Sequence, residues 1–232
     1  MNSVLIQDFN ERSKEVSKYF IFLRSLEQGT TKLSYGGKGN GSKIKEIDPE
    51  LLKTLKASGF LLLYNLVEAT MRNIIEAIFD QLRIEGISYD EIRPELKKVV
   101  LKNLKKRSSD EVFSSIAAIS VDIISAGFDK KDLFSGNLDG KKIRETAAEY
   151  GFSHLTDHTK TGSGSDLLTV KANRNDLAHG IKSFAEIGRD KTADELLEIK
   201  KKVIRYLKQI LKNIETYLYN KDYLDTSVVR NS

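Results

Sequence analysis

With 232 residues, no cysteine and a formal net charge of +5, the chain can bury one substantial core but cannot form a disulfide framework or a zinc–thiolate site. Its 38 Lys+Arg against 33 Asp+Glu is a mild basic bias, compatible with a nucleic-acid partner without identifying one. The N-terminus MNSVLIQDFNERSKEV carries acids early, unlike a signal peptide, and the longest apolar run, around Phe60 to Leu63, falls far short of the ~20 residues of a membrane span. A soluble, cytoplasmic protein with no membrane attachment is therefore expected.

Two prolines, no tryptophan and abundant Leu, Ile, Lys and Glu favour helix. From Asn2 to Glu27, Val4, Leu5, Phe9, Val16, Tyr19, Phe20, Leu23 and Leu26 recur at three- and four-residue steps, which predicts a first helix stopped at Gly29. Ser34 to Lys43 reads SYGGKGNGSK. It lacks both the Gly-Lys-Ser/Thr ending and a preceding strand, so it is a connector and not a phosphate-binding loop.

Asp48-Pro49-Glu50 gives a cap, a first-position proline and a first-turn acid, which predicts a helix running to about Glu85 and ending at Gly86. Its wide apolar stripe marks the central rod of a bundle. Within it Glu68 and Arg72 stand four apart, and Asn65 and Asn73 interrupt the apolar residues. Ser88 with Glu91 resembles a capping box and predicts a helix carrying Leu96, Val99, Val100, Leu101 and Leu104, with Lys98, Lys102, Lys105 and Lys106 along one side. Ser108 with Glu111 repeats the pattern and predicts a helix to Ala126, stopped by Gly127.

Asp139 is placed to cap a short helix from Lys141 to Tyr150. Ser153 to Ser165 is rich in Gly, Ser and Thr and reads as a surface loop, so the four-residue spacing of His154 and His158 does not make a metal pair. Ser165 or Asp166 is placed to cap DLLTVKANRNDLAHG, which Gly180 ends, and Leu177 and Ala178 would seat that helix on its neighbours. Thr192 with Glu195 opens a long last helix to about Tyr219, and the tail beyond is expected to fray. With no strand pattern and no internal repeat, the fold class is all-α. The expected architecture is an antiparallel helical bundle forming a single domain over residues 1–232, with residues 108–164 as a helical and loop insertion.

Asn173 to Gly180, NRNDLAHG, concentrates the chemistry. Histidine transfers protons near neutral pH, and the arginine fork suits phosphate oxygens. On an ideal helix Asn175 and His179 lie one above the other, while Arg174 is about 140° from His179 at 100° per residue. Both reach one phosphate if the arginine bends round and the histidine leaves the ideal track. Asp176 either pairs with Arg174 or stays at the surface.

NRNDLAHG resembles the signature of the HEPN superfamily of helical-bundle ribonucleases, an Arg followed after four to six residues by His, and commonly Arg-Asn-x-x-x-His. Arg174, Asn175 and His179 occupy those positions. FLLLYNLVEATMRNIIEAI resembles the bundle helix of prokaryotic members, in which an acidic residue faces the active site, and Glu68 matches it. The resemblance covers that helix, the motif helix and the last long helix; residues 1–47 and 108–164 carry no part of it.

The resemblance implies endonucleolytic cleavage of RNA without a metal or other cofactor, of a toxin or antiviral-defence kind, at a site composed across a homodimer. Arg174, His179, Asn175 and Glu68 are its expected catalytic group, and Lys102, Lys105, Lys106 and Arg205 its expected RNA contacts. An antitoxin or sensor protein is the expected regulatory partner. The alternative is a non-catalytic HEPN-like module that binds a nucleotide or a partner protein.

Overall fold

The computed structural model describes residues 4–35, 43–108, 110–111, 122–130 and 133–229. It is mostly helical and divides into two compact units. The first unit is Met1–Glu68 with Asp157–Tyr206; the second is Ala69–Thr156 with Leu207–Ser232.

In the first unit, helix α1 (Val4–Glu27) buries Phe9, Val16, Phe20, Leu23 and Leu26, the face its three- and four-residue spacing sets. A hairpin not anticipated from the sequence follows, strand β1 (Leu33–Tyr35) antiparallel to β2 (Lys43–Lys45) with Ser34 opposite Ile44. Three residues per strand are too few for alternation to register as a pattern. Most of the expected connector, residues 36–42, lies outside the described residues.

Helix α2 (Pro49–Ile84) starts as expected, the Glu50 N–H donating to the Asp48 carboxylate at 2.9 Å. Its central residues Ala57, Phe60, Leu63, Leu66 and Val67 are buried. Helix α9 (Ala193–Tyr219) opens on the Thr192/Glu195 box, the Thr192 N–H donating to Glu195 at 2.8 Å and the Glu195 N–H to the Thr192 hydroxyl at 3.2 Å. Glu27 joins α1, α2 and α9, accepting from Lys56 Nζ at 3.0 Å and from the Ala193 N–H at 2.6 Å.

The expected loop at 153–165 contains helix α6 (His158–Thr161) and a tight turn over Gly162–Gly164. Asp157 caps α6, accepting from the Thr159 N–H at 3.0 Å. Helix α7 (Ser165–Ala178) is not capped by Ser165 or Asp166: its cap position is Gly164, and Asp166 pairs instead with Lys202 at 3.6 Å. Gly164 holds the left-handed conformation (φ +79°), where a Ser or Asp would be strained, and an added Cβ would stand 3.0 Å from the Tyr206 ring. Helix α8 (Phe184–Arg189), also unanticipated, is opened by a Ser183/Glu186 capping box. Its Gly188 lies directly on α2, where an added Cβ would meet the Lys53 carbonyl oxygen at 1.9 Å.

In the second unit, helix α3 (Pro94–Lys105) begins later than expected. Ser88 and Glu91 do bond, at 2.7 Å, but Pro94 confines Arg93 to extended backbone (φ −62°, ψ 153°), so that contact closes a turn and starts no helix. The Ser108/Glu111 contacts are present at 2.7 and 3.2 Å, while residues 112–121 of the helix expected there lie outside the described residues. That run is broken at Asp122. Its carboxylate turns back to cap helix α4 (Ile123–Ala126), accepting from the Ile124 and Ser125 N–H groups at 3.0 Å. Helix α5 (Gly140–Tyr150) has its expected Asp139 cap.

The tail does not fray before residue 229. Tyr223 is fully buried and donates to Glu85 at 2.6 Å, the Arg93 N–H donates to the Tyr223 carbonyl at 2.9 Å, and a last turn, α10 (Thr226–Val229), follows. Among the described residues no helix is long and apolar enough to cross a membrane.

Candidate active site

The motif lies in the last two turns of α7. Leu167 and Val170 are the buried residues of this helix; of the two expected to seat it, Leu177 is half-buried and Ala178 exposed. The helix ends because Gly180 takes the left-handed conformation (φ +67°), which lets the Ile181 N–H turn back to the Asp176 carbonyl at 2.8 Å. His179 is the residue caught in that reversal. Its backbone (φ −98°, ψ 2°) has left the helix, and its side chain is exposed.

Arg174 goes the other way. Its guanidinium carbon sits 4.5 Å from the ring centroid of Tyr64 on α2, and Tyr64 is 3% exposed. A cation held over a buried aromatic face is attracted by the ring quadrupole and loses rotamer freedom. Nη1 of Arg174 also donates to the Asn175 side-chain oxygen at 3.0 Å, so Asn175 braces the arginine. Asp176 is taken by Lys182, whose Nζ is 2.9 Å away, and that carboxylate raises the lysine's pKa above its usual value.

Glu68 is half-buried and one helical turn beyond Tyr64 on α2, about 40° round the axis from the ring on which Arg174 rests. The first unit therefore assembles Arg174, Asn175 and His179 on α7, and Tyr64 and Glu68 on α2. Arg205 belongs to the same unit, exposed on α9. Lys102, Lys105 and Lys106 belong to the second unit, exposed along α3 and its C-terminal cap, and Lys102 is engaged by Glu149.

Tyr64 and Lys182 escape a sequence reading. Tyr64 sits among leucines in an apolar stripe and looks like any core aromatic; only its place one turn before Glu68 marks it. His158, exposed, is within 3.0 Å of the Ser163 hydroxyl, and no group of three or more His, Asp or Glu among the described residues could hold a metal ion.

The family model for MAE_28990-like HEPN domains matches residues 1–223. The match takes in residues 1–47 and 108–164, where no motif is legible. No curated protein and no solved structure matches the chain. A mostly helical fold and a family match over nearly the whole length agree: the chain belongs to the HEPN superfamily.

Proposed function

We propose that the protein is an endoribonuclease that needs no metal and cleaves RNA by attack of a 2′-OH on its own phosphodiester. The supporting observation is the pairing of a braced, half-buried Arg174 with an exposed His179 at one helix end. Arg174 supplies fixed positive charge to the phosphorane as negative charge develops, at no reorganisation cost because Tyr64 and Asn175 already hold it. His179 moves the proton, and its position outside the helix gives it access to solvent and substrate.

The reaction needs both an acceptor for the 2′-OH proton and a donor for the 5′-oxygen leaving group. One imidazole performs one of these. Two copies of the chain meeting at His179 would supply both, with two Arg174 on the phosphate, and would leave a 2′,3′-cyclic phosphate and a 5′-hydroxyl. Asn175 acts through Arg174, and Glu68 supports the same charge from the next turn of α2. A toxin or antiviral-defence role, restrained by an antitoxin or sensor partner, fits such an activity. Within the first unit Arg205 is the proposed RNA contact; Lys102, Lys105 and Lys106, along α3 in the second unit, are proposed as RNA contacts of that unit by itself.

The test is incubation of purified protein with RNA in excess EDTA. Cleavage to cyclic-phosphate ends is expected from the wild type and lost in His179→Ala and Arg174→Ala. RNA left intact at high protein concentration would instead make the chain a HEPN module that binds a nucleotide or a protein.

A further inference from the structure

The end of α7 has no packing to hold it. Ala178 and every residue after it as far as Phe184 are exposed, and a side chain added at Gly180 would meet nothing within 4 Å. The reversal that carries His179 is fixed by polar contacts instead, and three of them converge on Asp176. Its main-chain oxygen accepts the Ile181 N–H at 2.8 Å and the Lys182 N–H at 3.3 Å, and its carboxylate takes the Lys182 ammonium at 2.9 Å. The far end of the segment is anchored as well: Ser183 opens α8, and Gly188 of α8 lies against the Lys53 carbonyl of α2. Glu186 and Asp190 of α8 also attract the Lys182 ammonium, so carboxylates of both helices draw on this one cation.

A carboxylate two residues from Arg174 is out of place on a surface that receives a phosphodiester, whose charge it repels. It does not serve the arginine, whose fork reaches Asn175. Engaged by Lys182, its charge is offset and it closes the turn. We infer that Asp176 and Lys182 are positioning residues: their ion pair straps the Gly180 reversal and so keeps the His179 imidazole outside the helix. The inference deepens the nuclease reading and rests on it for what the imidazole does there.

Asp176→Asn and Lys182→Gln each cut the strap, and Asp176→Lys combined with Lys182→Asp reverses it. Both single variants are expected to lower the amide protection factors of Ile181 and Lys182 roughly 2- to 5-fold, the range of a solvent-exposed ion pair, and the reversed pair to restore them. The buried Leu167 and Val170 should keep their protection and report an intact helix. In single-turnover cleavage at saturating RNA, both single variants are expected to slow the chemical step by a similar factor. The two substitutions change the local charge in opposite directions, so an influence on RNA through charge alone would drive their rates apart. Unchanged protection in the single variants, a reversed pair that stays loose, or rates that move in opposite directions overturns the strap. The outcomes separate from the nuclease question. Protection that falls and returns while every protein leaves RNA intact refutes the chemistry and keeps the strap; a wild type that cleaves, beside single variants with unchanged protection, does the reverse.

Discussion

Removing the ring under Arg174 tests the proposed chemistry without touching either reacting group. Tyr64→Leu keeps an apolar side chain in a nearly closed position and deletes the π face, which lies 4.5 Å from the guanidinium carbon, together with the hydroxyl, whose share Tyr64→Phe isolates. A cation–π contact of that kind is worth about 0.5 to 2 kcal/mol, the upper figure applying when the cation is desolvated. If that energy holds the guanidinium where the phosphorane forms, losing it slows cleavage by roughly 2- to 30-fold, at ~1.36 kcal/mol per decade. Tyr64→Phe keeps the face and should stay near the wild-type rate. Arg174→Lys keeps the charge but loses both the planar stack and the fork that reaches Asn175, so it should fall further than Tyr64→Leu. The assay is single-turnover cleavage of a labelled RNA in EDTA, at a temperature where melting curves show every variant folded. Truncating a core tyrosine costs stability as well, about 1–3 kcal/mol, and the melting curves separate the two effects. A Tyr64→Leu protein that cleaves as fast as wild type, while Arg174→Ala is dead, would refute the idea that the ring aims the arginine.

Gly188→Ala is expected to destabilise the first unit by about 3 kcal/mol or more, since the new methyl would sit 1.9 Å from the Lys53 carbonyl oxygen and backbone cannot rotate aside; thermal denaturation of the variant measures it, and an unchanged melting temperature contradicts the packing of α8 on α2. The Tyr223 hydroxyl and the Lys221 ammonium hold the Glu85 carboxyl below its usual pKa. A depressed carboxyl stabilises the fold fully above its unfolded pKa of about 4.3, and the contribution is lost as pH falls through the lower folded value. The protection factors of amides 222–226, measured against their intrinsic exchange rates, should therefore fall in acid, and Glu85→Gln should flatten that dependence.

The long elements were legible because each is written many times over. The stripe of α2, the Asp48-Pro49 start and the Thr192/Glu195 box all say the same thing, and all are present. What escaped is short or depends on contacts distant in sequence. Strands of three residues and a helix of six, Phe184–Arg189, are shorter than any period that could announce them. The tail after Tyr219 looked polar and loose, yet Tyr223 finds Glu85 and Arg93 more than a hundred residues earlier. Pro94 could have corrected the start of α3, because the residue before a proline resists helix.

At the site the same division holds. The spacing of Arg174 and His179 is readable, but where each side chain goes is decided elsewhere: Tyr64 draws one inward and Gly180 turns the other out. A five-residue separation leaves the two about 140° apart on an unbroken helix, which looks unsuited to a shared phosphate. It is suited to two different tasks. One position can face the central helix, where buried surroundings fix a charge; the other can end the helix, where a glycine frees an imidazole to meet solvent, substrate and, on the reading proposed above, its symmetry mate. Replacing Gly180 by a residue that prefers to continue the helix would return His179 to the ideal track and cost activity while sparing the core, since an added side chain there meets nothing within 4 Å.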